Sequence, residues 1–196
     1  MKTMVKRAAA LLVLVSLTCL LGCVTVTQRG GDESERPEPL ARQIDGDVET
    51  WDLSGPPSDA AFGIAAESSA GIYRTDEPRP IVLRFSDDEQ LRVEAPLISF
   101  SRFRGADGDN FTVGIRGATV EPEVLDGQLR SIVDQLGSSP DLVADFTAEV
   151  EQAPPEQTER IVFSSPSAQF GDLEIGVQAN LAPIAGRGRF IIGGAW

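Results

Sequence analysis

The sequence predicts an α+β domain: an antiparallel sheet of about six or seven strands with two consecutive helices packed on one face. Three observations predict it. Alternating apolar runs flank an acidic turn at Asp87-Asp88-Glu89. Two segments, each with a proline near its start, follow with apolar residues at helical spacing. Three further alternating runs close the chain, giving the order β-β-β-β-α-α-β-β-β.

Each element rests on particular residues. Residues 48–59 hold Trp51 and Leu53 around a Gly55-Pro56-Pro57 turn. Residues 60–74, rich in Ala and Ser, read as a helix and a short strand at 71–74. Residues 81–86 and 90–95 make a first hairpin. Pairing Phe85 with Leu91, Leu83 with Val93 and Ile81 with Ala95 leaves one face apolar, which is what fixes register. That register sets Arg84 opposite Arg92 on the other face. A second hairpin joins residues 97–104 to 110–116, with Phe103 opposite Phe111, Ser101 opposite Val113 and Ser99 opposite Ile115.

The first helix spans residues 121–136, with Pro122 in its first turn. Leu125, Leu129, Ile132, Val133 and Leu136 fall on one side, and Gly137 stops it. The second starts at Ser139-Pro140-Asp141: a cap, a first-turn proline and an acid near the positive helix end. Its stripe is Leu142, Phe146 and Val150, and Pro154-Pro155 ends it. The last strands are residues 160–164, 173–180 and 187–192. In the middle one Leu173, Ile175, Val177 and Ala179 alternate with Glu174, Gly176 and Gln178.

The amino terminus carries a different signal. Lys2, Lys6 and Arg7 precede a 14-residue apolar run at residues 8–21. That run is short of the roughly 20 residues a spanning helix needs, and it suits a removable signal. It ends in Leu20-Leu21-Gly22-Cys23. Here the chain resembles bacterial lipoproteins, whose lipobox has an aliphatic residue, a tolerant position, a small residue and a cysteine. The resemblance covers about the first 25 residues. It implies a diacylglyceryl group on the Cys23 sulfur and cleavage between Gly22 and Cys23 by signal peptidase II. The residue types suit that chemistry: a thiol is the best side-chain nucleophile for alkylation, and Gly22 places no side chain beside the scissile bond. Cys19 fails as an alternative because Thr18 precedes it. Two acyl chains anchor stably where one binds reversibly.

The expected organisation is therefore a lipoprotein signal peptide at 1–22, lipidated Cys23 with a disordered tether to residue 47, and one globular domain at 48–196. Residues 24–47 have few large apolar side chains and cannot fold alone. As a coil they reach on the order of 25–30 Å. The expected location is the extracytoplasmic face of the cell membrane. Val24 instead of Asp after the cysteine also suits the outer membrane of a two-membrane cell.

Composition excludes much. There is no His, both lysines lie in the signal, and Cys23 is the only cysteine beyond it. Ser-His-Asp and Cys-His catalysis, His-ligated zinc or iron, Schiff-base and P-loop lysines, and an internal disulfide are all excluded. After the signal, 14 arginines stand against 30 acids, a net charge of −16. Such a chain should repel nucleic acid. No cofactor, metal site or catalytic residue is expected.

The sharpest local site is an arginine face. Arg84 and Arg92 face each other, and Arg102 and Arg104 share a face of the next strand near Arg116. Like charges directly opposite cost stability unless neutralised. A phosphate, sulfate or sugar carboxylate can neutralise them through guanidinium forks. The competing reading, favoured by the excess of acids, is a solvated face on which Glu94 and its neighbours pair with these arginines. Asp107, Asp109 and Asn110 read as a polar hairpin turn, because a calcium loop's remaining ligands are missing. Asp87, Asp88 and Glu89 are the densest carboxylates, but adjacent turn residues make a poor cleft. Tyr73 has no partner identifiable in sequence. Gly186-Arg187-Gly188-Arg189 leads into a strand, so it lacks the phosphate cradle of a helix start.

The expected function is a membrane-anchored extracytoplasmic lipoprotein serving as a non-catalytic binding or interaction module, with docking on another envelope protein as one of two open mechanisms. The alternative is a lipid or glycolipid carrier with an apolar cavity. A carboxylate-based hydrolase is the weakest reading.

Overall fold

The computed structural model describes residues 37–105, 108–154 and 156–196. The expected signal peptide, Cys23 and the first part of the expected tether lie outside these residues, as do Asp107 and Pro155. Nine strands and three helices follow in the order β1 (Arg42–Asp45), β2 (Val48–Asp52), α1 (Asp59–Phe62), β3 (Ala70–Arg84), β4 (Gln90–Gly105), β5 (Gly108–Arg116), α2 (Pro122–Gln135), α3 (Leu142–Gln152), β6 (Ile161–Ser164), β7 (Ala168–Phe170), β8 (Leu173–Ala182) and β9 (Arg187–Ala195). One sheet runs β1-β2-β3-β4-β5-β9-β8-β6, with β7 also paired to β8. The sheet is mixed: β2 runs parallel to β3, and the other pairs are antiparallel. Six or seven purely antiparallel strands was too few and too uniform an expectation. The extra strands are short: β1 has four residues and β7 three. The parallel pair arises because the chain leaves β2 and returns through α1 before the second half of β3 lies beside it. No helix of the described residues is long and apolar enough to cross a membrane.

The fold begins earlier than residue 48. β1 and buried Ala41 lie within the stretch expected to be tether. What builds β1 in is Glu49, the single buried charged residue among those described, 1 % exposed. Its Oε1 accepts hydrogen bonds from Arg42 Nε at 2.7 Å and from Trp51 Nε1 at 3.0 Å, and its Oε2 accepts from Arg79 Nε. The carboxylate thus joins β1, β2 and β3. Arg42 also stacks over the rings of Trp51 and Tyr73, a contact a planar cation makes well.

β3 and β4 are long because both bend without breaking. The β3–β4 register shifts between Arg74 and Arg79, where β3 carries three more residues than its partner. β4 buries Leu91, Val93 and Ala95, then switches side across Pro96-Leu97 and buries Ile98 and Phe100. The switch keeps both halves on one core, where Trp51 meets Phe100 with ring centroids 4.5 Å apart. Phe62 of α1 stacks on Phe100 at 4.2 Å and touches Phe111 and Trp196. At the other end Phe85 stacks on Phe170 of β7 at 4.2 Å. Each fully buried aromatic of this set contributes roughly 1.5–3 kcal/mol of transfer free energy.

Both expected hairpin registers change. The first closes with Arg84 beside Gln90, so Leu83 meets Leu91, Ile81 meets Val93, and Ala95 meets Arg79. The cause is where the tip forms: Phe85 N donates to Glu89 O at 2.9 Å, and Ser86 Oγ accepts from Glu89 N at 3.1 Å, which centres the turn one residue earlier. The second hairpin closes at Gly105 beside Gly108, with two residues between them in place of a five-residue loop. Gly108, at φ 130°, supplies a conformation other residues rarely adopt. Register moves by one, so Phe103 faces Asn110, Ser101 faces Thr112 and Ser99 faces Gly114. A one-residue slip turns every side chain to the other face. Phe103 is accordingly exposed while Ile98 and Phe100 are buried.

α2 follows its period: Leu125, Leu129, Ile132 and Val133 are buried, with Leu136 at its end and Gly137 in the left-handed region. In α3 the buried residues are Val143 and Phe146, whereas Leu142 is 42 % exposed. The helix begins at Leu142, two residues later than a Ser139 cap implied, with Asp141 N donating to Ser139 Oγ, and Leu142 at its first position stays outside the buried stripe. Phe146 meets Phe163 of β6 edge-on. The two helices are joined by Asp126, whose carboxylate accepts from Arg130 Nε at 2.8 Å and from Thr147 Oγ1 across the gap. Residues 60–74 give only a four-residue helix, capped by Ser58, before β3 begins. α2 approaches β9 closely: a Cβ on Gly188 would lie 2.7 Å from Leu125 Cδ2 and 2.8 Å from Asn180 O.

Three stability measurements check these joints. Glu49→Ala leaves Arg42 and Arg79 uncompensated, and denaturant unfolding should show a loss of about 3–5 kcal/mol. Gly188→Ala forces backbone and helix apart and should cost about 1–3 kcal/mol. The bonds from Arg130 and then Thr147 outweigh burial and hold the Asp126 carboxyl below its ordinary value. Its contribution is therefore complete above the unfolded carboxyl value and is lost as pH falls through the lower folded one. The stability gap between the parent and Asp126→Asn, traced by thermal melts, should close on acidification and not on alkalinisation.

Candidate functional site

The expected arginine face does not assemble as one surface. Arg84 lies beside Gln90 and Arg92 beside Val82, so the two do not oppose each other. Arg84 NH2 donates to Asp52 Oδ2 at 2.5 Å, from the neighbouring parallel strand. Ser54 and then Arg84 hold the Asp52 carboxyl below its ordinary value. Arg92 is exposed, and its backbone amide and carbonyl are both bonded to the Gln135 side chain at 2.8 and 3.1 Å. Arg102 turns inward at the end of β4. It pairs with Asp59 of α1 and donates to Ser68 O at 2.9 Å. Its role is to clamp α1 and the following loop to the sheet. Arg104 is exposed and sits beside Asp109 in the hairpin register.

Arg116 departs from this group altogether. Phe111, Val113 and Ile115 point into the core, so Arg116 points away from it. The one-residue register shift is what separates it from Arg102 and Arg104. On the outer side of the sheet Arg116 lies beside Ile191 of β9. Arg189 follows two residues along β9, and Arg160 immediately precedes β6. Burial, then the like charges of Arg116 and Arg160, hold the Arg189 guanidinium below its ordinary value. Sequence reasoning passed over Arg160 and treated Arg189 only as part of a glycine-rich turn. A signal was present: Gly188, Phe190 and Ile192 share one parity and go inward, which sends Arg189 and Ile191 outward.

Two open depressions indent the described surface. One, of about 410 Å³, lies between β4 and α2, with Val93, Val124, Ile132 and Phe190 among its walls and Arg92, Glu94 and Gln128 around them. The other, of about 440 Å³, is walled by residues 66–69 with Arg102, Phe103 and Arg104. The second is where two of the expected anion-binding residues do meet, but Arg102 is committed to Asp59 and Ser68.

The remaining expected positions are simply placed. Asp87, Asp88 and Glu89 are exposed at the β3–β4 turn. Tyr73 has a partner that sequence did not reveal: its Oη donates to Phe62 O at 2.8 Å. Gly186 takes a left-handed conformation at the turn into β9, as the strand reading of Gly186-Arg187-Gly188-Arg189 requires. Among the described residues no three acidic or cysteine side chains are grouped to hold a metal ion.

No protein-family model matches the chain, and searches of curated proteins and of solved structures return no match.

Proposed function

We propose that this chain is an extracytoplasmic protein anchored to the cell membrane by lipid on Cys23, and that its folded part is a non-catalytic binding or interaction module. The observation that carries the reading is the Leu20-Leu21-Gly22-Cys23 sequence behind a basic start and a short apolar run. The residue inventory supports the second half. No His is present, no Lys follows residue 6, and no Cys follows residue 23, so catalysis by histidine, lysine or cysteine is missing beyond the anchor. The densest acidic cluster stands on an exposed turn, away from both depressions. Docking on another envelope protein is the favoured activity, with exposed Val162, Ile184 and Phe103 available as apolar contacts.

The groove between β4 and α2 favours one second reading, a lipid or glycolipid carrier. Its apolar walls, Val93, Val124, Ile132 and Phe190, are rimmed by polar groups suited to a head group.

Labelled palmitate fed to expressing cells should appear on the parent protein and be absent from Cys23→Ser. Intact mass should place the mature amino end at an acylated Cys23, and the protein should sediment with membranes. An unmodified amino end, or a soluble cytosolic protein, overturns the proposal.

A further inference from the structure

The strand register places three arginines together on the side of the sheet facing away from the core. Arg116 is the last residue of β5 and lies beside Ile191 of β9. Two residues along β9, Arg189 lies beside Asn180 of β8. Asn180 lies beside Val162 of β6 in turn, and Arg160 stands two residues before Val162. The alternation of the strands confirms the side: Phe190, Ala179, Leu181, Ile161 and Ile115 are the buried neighbours, and the arginines fall between them. None of the three makes an ion pair with a described residue. Arg187, next along β9, is held by Glu121 at 3.0 Å and stands apart from the set.

This is an odd arrangement for so acidic a chain. Thirty carboxylates are available, and six of the nine other described arginines take one. Holding like charges together costs free energy, and partial burial of Arg189 adds to that cost. The register sets Arg116 diagonal to Arg189 on neighbouring strands, with Arg160 two strands further on, and burial followed by these two like charges holds the Arg189 guanidinium below its ordinary value. Neighbouring Asn180 and Gln178 bring amide donors to the same side, with no acidic side chain between them in the register.

We propose that Arg116, Arg160 and Arg189 form a binding site for a phosphate-type oxyanion, the common chemistry of inorganic phosphate, a soluble phosphoester and a phospholipid head group. A tetrahedral oxyanion offers oxygens in more directions than a planar carboxylate and so accepts from three separate guanidinium groups. The site gives the binding-module reading a ligand class and rests on that reading. It does not depend on acylation of Cys23.

The test uses the full chain in neutral detergent micelles. In one arm inorganic phosphate is titrated against chloride at constant ionic strength. In the other the micelles are doped with phosphatidylglycerol or, as control, phosphatidylcholine. Binding is followed by calorimetry and by the thermal midpoint. The parent should bind saturably in at least one arm. Arg189→Gln and Arg116→Gln should each weaken binding about tenfold or more. Arg84→Gln, whose partner is Asp52 elsewhere in the sheet, should leave it unchanged. Without anion, Arg189→Gln should melt no lower than the parent, because it relieves repulsion. Response to phosphate alone assigns the soluble source, and response to phosphatidylglycerol alone assigns the head group. No saturable response in either arm overturns the proposal. So does a response that Arg84→Gln lowers as much as Arg189→Gln does. Either failure leaves the Cys23 measurement standing, so the two proposals fail separately.

Discussion

One carboxylate holds the first third of this fold to the rest. Glu49 sits between Arg42 and Arg79 with the Trp51 indole N–H on the same oxygen as Arg42. A charge this deeply buried persists only when its partners are all present. Here the partners come from three strands. β1 is four residues long, with burial mostly at its surface, and has little apolar area of its own to hold it. Its attachment relies on the ladder with β2 and on Arg42 reaching Glu49. β2 is the partner of the one parallel pairing, and Arg79 enters from the point where β3 resumes pairing after its irregularity. Glu49 therefore fixes where that irregularity ends. The bend in β3 and the side switch at Pro96-Leu97 of β4 then bring Trp51, Tyr73, Phe100 and Phe62 together.

The second half of the molecule is held differently. α2 lies against β4, β8 and β9 through Leu125, Leu129, Ile132 and Val133, and its approach is set by two absent side chains. Gly188 admits Leu125, and Gly117 admits the Phe190 ring, which a Cβ there would meet at 2.5 Å. Burial is dense on this side and needs no ion pair at its centre. Ion pairs appear at the margins: Asp126 with Arg130 near α3, and Glu121 with exposed Arg187. The first third thus depends on a buried network, and the rest depends on shape.

That contrast explains what could be read from residues alone. α2 was legible because five large aliphatic side chains fall at one period over sixteen residues, and no turn chemistry competes. β8 was legible for the same reason at period two. Hairpin registers were not, because they are decided at the tips. Ser86 and Glu89 centre one turn a residue earlier, and Gly105 with Gly108 shortens the other, and neither choice is visible in the strands themselves. β1 and β7 are too short to carry a pattern. Glu49 was legible in part: Trp51 two residues on, in a strand, puts both on one face, so a buried Trp51 implies a buried acid in need of cations. Which arginines answer it could not be read, since Arg79 lies 30 positions away. For the arginine face the expected grouping does not form, because a one-residue register change moved Arg116 to the opposite side from Arg102 and Arg104.

The division of the arginines follows from that geometry. Four arginines meet carboxylates that the fold itself brings close: on the core side or its rim Glu49 takes Arg42 and Arg79 and Asp59 takes Arg102, and on the opposite face of the first strands Asp52 takes Arg84. On the outer side the register rows offer no such acids near Arg116, Arg160 and Arg189. The adjoining row is Ser99, Gly114, Gly193 and Gly176, without a side chain larger than a hydroxymethyl. A surface of small residues bordered by arginines is open to an approaching group, and the excess acid elsewhere repels any anion that does not arrive at this border. Overall acidity and local anion binding are compatible on these terms. Net charge sets the long-range field, which salt screens within about 8–10 Å. Guanidinium groups at hydrogen-bond distance act well inside that length, so the local grouping and not the total decides what is held there.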